Sequence, residues 1–158
     1  MERLRHNRNL RGACLYGLLS FFSICFIFSQ SILSMEDSGD FSAGIMSILK
    51  PILDPHGILS EEIFHHYLRK AAHFTEFAVL GWFFSCFTRN LGKFLNREFV
   101  ALTLLVPLSV AVCDEYLQYF TGRGSAVTDV VIDFCGSICS IFLVWLISYI
   151  PSNKKLPQ

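Results

Sequence analysis

From Ala13 to Leu33 the chain passes twenty-one residues without one charged side chain. A helix needs about 20 largely apolar residues to cross roughly 30 Å of hydrocarbon, so this run already restricts the chain to folds that accommodate a long uncharged helix. Residues 71–88, 99–120 and 126–150 reach or approach the same length. Together the four runs predict an all-α fold, a polytopic membrane bundle of about four transmembrane helices. Composition agrees: 53% of the 158 residues are hydrophobic and 16% charged, more apolar than an ordinary soluble domain. Pro107 is expected to kink the third span and Pro151 to stop the fourth.

The basic residues give the topology. Arg3, Arg5, Arg8 and Arg11 precede the first span, Arg89, Lys93 and Arg97 lie between the second and third, and Lys154 and Lys155 close the chain. Only Lys50, Arg69, Lys70 and Arg123 fall on the other side. Cytoplasmic loops carry the excess of Lys and Arg, so both termini are expected in the cytoplasm of a multi-pass inner-membrane protein. The organisation is then a basic amino terminus at 1–12, a membrane domain at 13–150 and a cytoplasmic tail at 151–158. The basic prelude also suits a signal peptide, with Ser29-Gln30-Ser31 as a weak cleavage candidate, but the apolar run exceeds a usual signal core and favours a retained helix. Thirteen basic and thirteen acidic residues cancel, which removes any global electrostatic case for nucleic acid.

The long first outer loop, about Ser34 to Glu62, begins with solvated acids at Glu36, Asp37 and Asp40. It then spaces Phe41, Ile45, Ile48, Leu49, Ile52 and Leu53 as a short amphipathic element ended by Pro51 and Pro55. Ser60 before Glu61 and Glu62 is a helix start, with a capping hydroxyl and acids at the positive end of the dipole. Six cysteines, with no CxxC pair and no zinc spacing, read as free, buried, small hydrophobes.

Glu62, His66, Arg69, His73 and Glu76 recur at steps of four, three, four and three, forming one stripe on the second helix. Asp114, Glu115 and Gln118 lie near the end of the third; Ala126, Asp129, Asp133, Gly136 and Ser140 line the fourth. The first helix supplies nothing comparable. The proposed topology puts all three stripes in the outer half of the membrane. A charge at mid-bilayer costs about 2.5 to 3.5 kcal/mol on insertion scales, so the stripes should face one another. Gly122-Arg123-Gly124-Ser125 makes the tight reversal between the last two spans, and Gly136 allows a close helix approach.

Arg69-Lys70-Ala71-Ala72-His73-Phe74-Thr75-Glu76-Phe77, then Asp114-Glu115-Tyr116-Leu117-Gln118, then Gly122-Arg123 with Asp129, Asp133 and Gly136 form an ordered set of blocks. In these blocks the chain resembles the VanZ-like membrane proteins, from roughly Leu68 to the last span. The resemblance implies an integral protein of a bacterial envelope, in a family named for a member that gives low-level resistance to the glycopeptide teicoplanin. It does not bring a molecular activity with it.

The site expected from these residues comprises Arg69, Lys70, His73, Glu76, Asp114, Glu115, Gln118, Arg123, Asp129 and Asp133. The leading reading is recognition of a polar group on a lipid, a cell-wall precursor or a lipoglycopeptide. Arg69, Arg123 and His73 would hold the anionic or hydroxylated part, and apolar walls the tail. A second reading is an outer-leaflet enzyme with an acid/base pair drawn from His73, Glu76, Asp114 and Glu115. Proton-coupled transport is a third, for which four helices are few unless the protein forms a homo-oligomer. An interhelical clasp without a ligand is the fourth. No cofactor is expected and, without an HExxH motif, no metal, although His73 with Glu76, Asp114, Glu115 or Asp129 offers nitrogen and oxygen donors.

Overall fold

The computed structural model describes residues 2–32, 44, 47–54, 56, 58–122 and 125–149. Four long helices carry the fold: α1 (Glu2–Ile32), α2 (Glu61–Leu95), α3 (Val100–Phe120) and α4 (Val127–Tyr149). The first is longer than its apolar run, because the basic residues before Ala13 continue the same helix. The second starts where its capping sequence places it. The Ser60 hydroxyl accepts from the Ile63 N–H, Glu61 and Glu62 occupy the first turn, and Asn96 ends the helix in the left-handed conformation with its N–H on the Gly92 carbonyl. At about 1.5 Å per residue its 35 residues reach roughly 52 Å, well beyond the hydrocarbon thickness. The expected span 71–88 is therefore only its middle.

α2 packs against each of the other three helices. His6 stacks on Phe94, and Gly12 and Gly17 lie beside Asn90 and Phe87, so α1 runs antiparallel to it. α3 is also antiparallel, with Thr88 and Thr103 sharing a hydrogen bond of 2.8 Å at one end. α4 runs parallel to α2 and approaches it most closely. A methyl on Gly136 would run into the Phe74 carbonyl oxygen, one on Gly81 would meet the Ser137 backbone, and the Ser137 hydroxyl donates to the Phe77 carbonyl at 3.0 Å. Small residues permit such backbone proximity in membrane bundles, and α2 is the partner that Gly136 serves.

Ile27, Phe77, Leu80, Val110 and Ala111 form the apolar core. Much of the remaining interior is polar, including Asp114, Gln118, Asp133 and Ser137, while Phe21, Phe22, Phe26, Val131, Leu143 and Ile147 point outward. This distribution suits a bundle whose solvent is lipid. α1, α3 and α4 each contain a stretch long and apolar enough to cross a membrane; α2, with Arg69, Lys70, Glu76, Arg89 and Lys93 on it, does not by composition. Tyr67, Tyr116 and Tyr119 are exposed at one end of the bundle and Trp145 and Tyr149 at the other. The length of α4 separates the two ends by about 33 Å, and interfacial aromatic belts have this spacing.

Two sequence expectations change here. The cysteines are free, but Cys14, Cys25, Cys113, Cys135 and Cys139 are exposed and Cys86 is half-buried. A small thiol is as well solvated by lipid as by a protein core, so apolar surroundings did not imply burial. Pro51 lies inside a helical stretch at 47–53 rather than ending it. Ile48, Ile52 and Leu53 of that stretch are exposed. Lys50 pairs with Glu61 at 3.6 Å, and Asp54 closes the turn by accepting from the Ile58 and Leu59 N–H groups. The acids Glu36, Asp37 and Asp40, residues Phe41, Ile45 and Pro55, the Arg123-Gly124 pair and the tail from Ile150 onward lie outside the described residues.

Candidate functional site

The up-down course of the helices brings the carboxyl-terminal ends of α1 and α3 beside the amino-terminal portions of α2 and α4. Asp133 is six residues into α4, so the cluster lies roughly 9 Å from that helix's end. The side chains there form three connected groups.

In the first, Arg69 on α2 donates to the Gln118 side-chain oxygen on α3 at 2.7 Å, and the Gln118 amide nitrogen donates to Asp114 at 2.9 Å. The other Asp114 oxygen accepts from the Ser31 hydroxyl of α1. Thr121 adds a hydrogen bond of 3.0 Å to the Ser31 carbonyl. Ser31 and Gln118 thus meet on one fully buried carboxylate, with Arg69 behind the amide and Thr121 behind the serine. The first helix does contribute, contrary to the sequence reading. Ser31 gave little signal because a lone serine at the end of an apolar span is common and its partner is 83 residues away.

The second group is the Lys70–Asp129 pair at 2.6 Å, joining α2 to α4 with both side chains about one-fifth to one-quarter exposed. Proximity in a wet, partly open setting makes this a strong contact but not a sealed one. The third is His73, whose Nδ1 lies 3.8 Å from Asp114 and 3.8 Å from Asp133. Asp133 is fully buried, and among the described residues neither of its carboxylate oxygens has a hydrogen-bond partner.

Glu115 serves a different purpose from its neighbours. One of its oxygens accepts from the Ala126 N–H at 3.0 Å, which fixes the chain at the entry to α4. Glu76, although on the same stripe as His73, lines a separate pocket of about 350 Å³ with Leu19, Phe22, Phe26 and Ile27 of α1. Glu62 is exposed and lines none of these pockets. Arg123, expected in the site, falls outside the described residues.

Between α2 and α4 these groups border a pocket of about 380 Å³, lined by His66, Arg69, Lys70, His73, Ala126, Thr128, Asp129, Ile132 and Asp133. Its wall alternates cation, imidazole, hydroxyl and carboxylate over a few ångströms, with Ile132 and Ala126 as apolar surface. Such a wall can hold a small polar group through donors and acceptors together, and it can move a proton between His73 and a carboxylate. A larger cavity of about 970 Å³ lies at the other end of the bundle, where Arg89, Lys93 and Arg97 border Phe142 and Trp145. In the sequence these cations counted only toward loop charge.

A family model described as VanZ/LLP1 matches residues 14–148. The chain belongs to the VanZ/LLP1 family. The match runs from the apolar part of α1 to the last turn of α4 and so contains every side chain of the cluster just described. No curated protein and no solved structure matches the chain. This VanZ/LLP1 protein is therefore a helical membrane protein whose buried polar groups gather at one end.

Proposed function

We propose that this VanZ/LLP1 protein binds the polar end of an amphiphilic envelope molecule, a lipid or lipid-linked cell-wall precursor, in the pocket between α2 and α4. The observation carrying this reading is the pocket wall. Lys70, Asp129, His73 and Asp133 present both charge signs and an imidazole to one cavity, beside a lipid-facing exterior that would take an acyl tail. Insertion of so many ionisable groups is costly, and an open cavity lined by them, beside the pairs they make with one another, is what a simple clasp lacks. The bias of basic residues supports an orientation with this end of the bundle at the outer leaflet of the inner membrane, where such molecules and a glycopeptide such as teicoplanin meet the cell. Arg123, between α3 and α4 in sequence, joins the reading as a further anion-binding group.

The test is mass spectrometry of the lipids and precursors that copurify with the full-length protein in mild detergent. The expected result is one class of species enriched with wild type and lost from Lys70→Gln and Asp129→Asn, both retaining normal membrane abundance. No enrichment over an unrelated four-helix membrane protein would overturn the reading. Teicoplanin susceptibility of the same strains then tests whether binding reaches resistance. A second reading, an acid/base enzyme, draws on the position of His73 between Asp114 and Asp133, and turnover of the captured species by wild type but not His73→Gln would establish it.

A further inference from the structure

Three potential ligand atoms from three different helices meet in the interior: His73 Nδ1 from α2, an Asp114 oxygen from α3 and an Asp133 oxygen from α4, all within 4.8 Å of one another. Both carboxylates are fully buried in the bundle. Burial of a carboxylate costs several kcal/mol per ion unless its lone pairs are satisfied. For Asp114 the hydroxyl of Ser31 and the amide of Gln118 do so. For Asp133 no described residue donates to either oxygen, while the carboxylate faces His73.

We infer that His73, Asp114 and Asp133 bind one divalent transition-metal ion. Ligand atoms about 2.0 to 2.2 Å from a tetrahedral ion lie roughly 3.4 Å from one another. The His73 to carboxylate separations of 3.8 Å need only a small side-chain rotation to close on an ion. One imidazole nitrogen and two carboxylate oxygens suit zinc or manganese(II). They suit calcium and magnesium less, which prefer all-oxygen shells, and copper(I) less, which prefers sulfur.

The surroundings of Asp114 strengthen the case. A metal-bound carboxylate is usually oriented by hydrogen bonds from behind, and Asp114 has two such donors, with Gln118 itself held by Arg69. His73 and Asp133 also line the 380 Å³ pocket, so an ion with three protein ligands keeps an open position toward that space. This inference goes beyond binding of an envelope molecule and does not require it, because the three ligands are contributed by the chain alone.

The test uses the full-length protein purified in detergent without a polyhistidine tag, stripped with chelator and then loaded with Zn²⁺ or Mn²⁺. Elemental analysis after gel filtration should find about one ion per chain, and Ca²⁺ or Mg²⁺ should not be retained. Asp133→Asn and His73→Gln should lose the ion. Ser31→Ala, which removes a donor behind Asp114, should weaken it about ten- to hundredfold. Co²⁺-loaded wild type should show the visible absorption of a low-symmetry nitrogen and oxygen site, a readout that holds even where a variant fails to fold. Lys70→Gln should keep the ion while losing any copurifying amphiphile, so the two proposals fail separately. Absence of a retained ion in wild type, or equal retention by Asp133→Asn, would falsify the site; the latter would assign binding to surface histidines such as His65 and His66.

Discussion

Alanine at Gly81 would put its methyl carbon 2.6 Å from the Ser137 carbonyl oxygen and 2.8 Å from the Ser137 Cα, with the Ser140 hydroxyl at 2.5 Å. The hydroxyl can rotate away; the backbone of α4 cannot. Ordinary carbon contacts lie near 3.5 Å, so α2 and α4 must separate by roughly 0.7 Å along their closest line. The Ser137 to Phe77 hydrogen bond, now 3.0 Å, would stretch, and the packing beneath the pocket would open. Overpacking of this kind costs about 1 to 3 kcal/mol, or roughly a 5- to 150-fold change in the folding equilibrium. Equilibrium unfolding of Gly81→Ala in mixed micelles with increasing sodium dodecyl sulfate, followed by circular dichroism, reads this directly. Gly44→Ala is the control, since a methyl there meets nothing within 4 Å, and it should stay within about 0.5 kcal/mol of wild type. If Gly81→Ala is as stable as Gly44→Ala, close packing of α2 on α4 is not what holds the bundle together.

Ser31→Ala should cost about 1 to 3 kcal/mol in the same unfolding assay, because it removes a hydrogen bond to a buried carboxyl oxygen; an unchanged midpoint would mean that α1 is not fastened to Asp114. The Lys70–Asp129 pair at 2.6 Å should show a coupling of at least about 0.5 kcal/mol in a double-mutant cycle of Lys70→Met and Asp129→Asn, and additive effects would deny the contact. In a background with all six cysteines replaced, a cysteine at Ser125 should react with an impermeant reagent in intact cells and one at Asn96 should not. Reaction at Asn96 alone would reverse the proposed orientation.

The helices were legible because their signals are local. An uncharged run, a capping serine with two acids behind it and a stripe at steps of three and four need only neighbours in sequence to be read. The convergence of Arg69, His73, Asp114, Gln118, Asp129 and Asp133 was legible too, since depth follows from topology. Which side chain takes which partner was not. Arg69 turned to an amide rather than a carboxylate, and Lys70 took Asp129. Glu76 lines a pocket against α1, and Glu115 turned to the entry of α4. Rotation of each helix about its own axis decides these pairings, and small residues such as Gly81 and Gly136 set that rotation across distances that no local pattern records. Ser31 illustrates the same limit, its role being visible only once α1 is docked beside α3.

The helix α2 carries groups of both cavities, Arg69 to His73 at one end and Arg89 to Lys93 at the other. Gly81, at one of its two close backbone approaches to α4, lies twelve residues from Arg69 and twelve from Lys93, about 18 Å of rigid helix each way. A rocking of α2 about Gly81 would have equal arms. A rotation of about 5° around that residue would carry the two ends roughly 1.6 Å in opposite directions, so an adjustment that narrows one cavity at α2 would have a counterpart of equal size at the other end of the bundle.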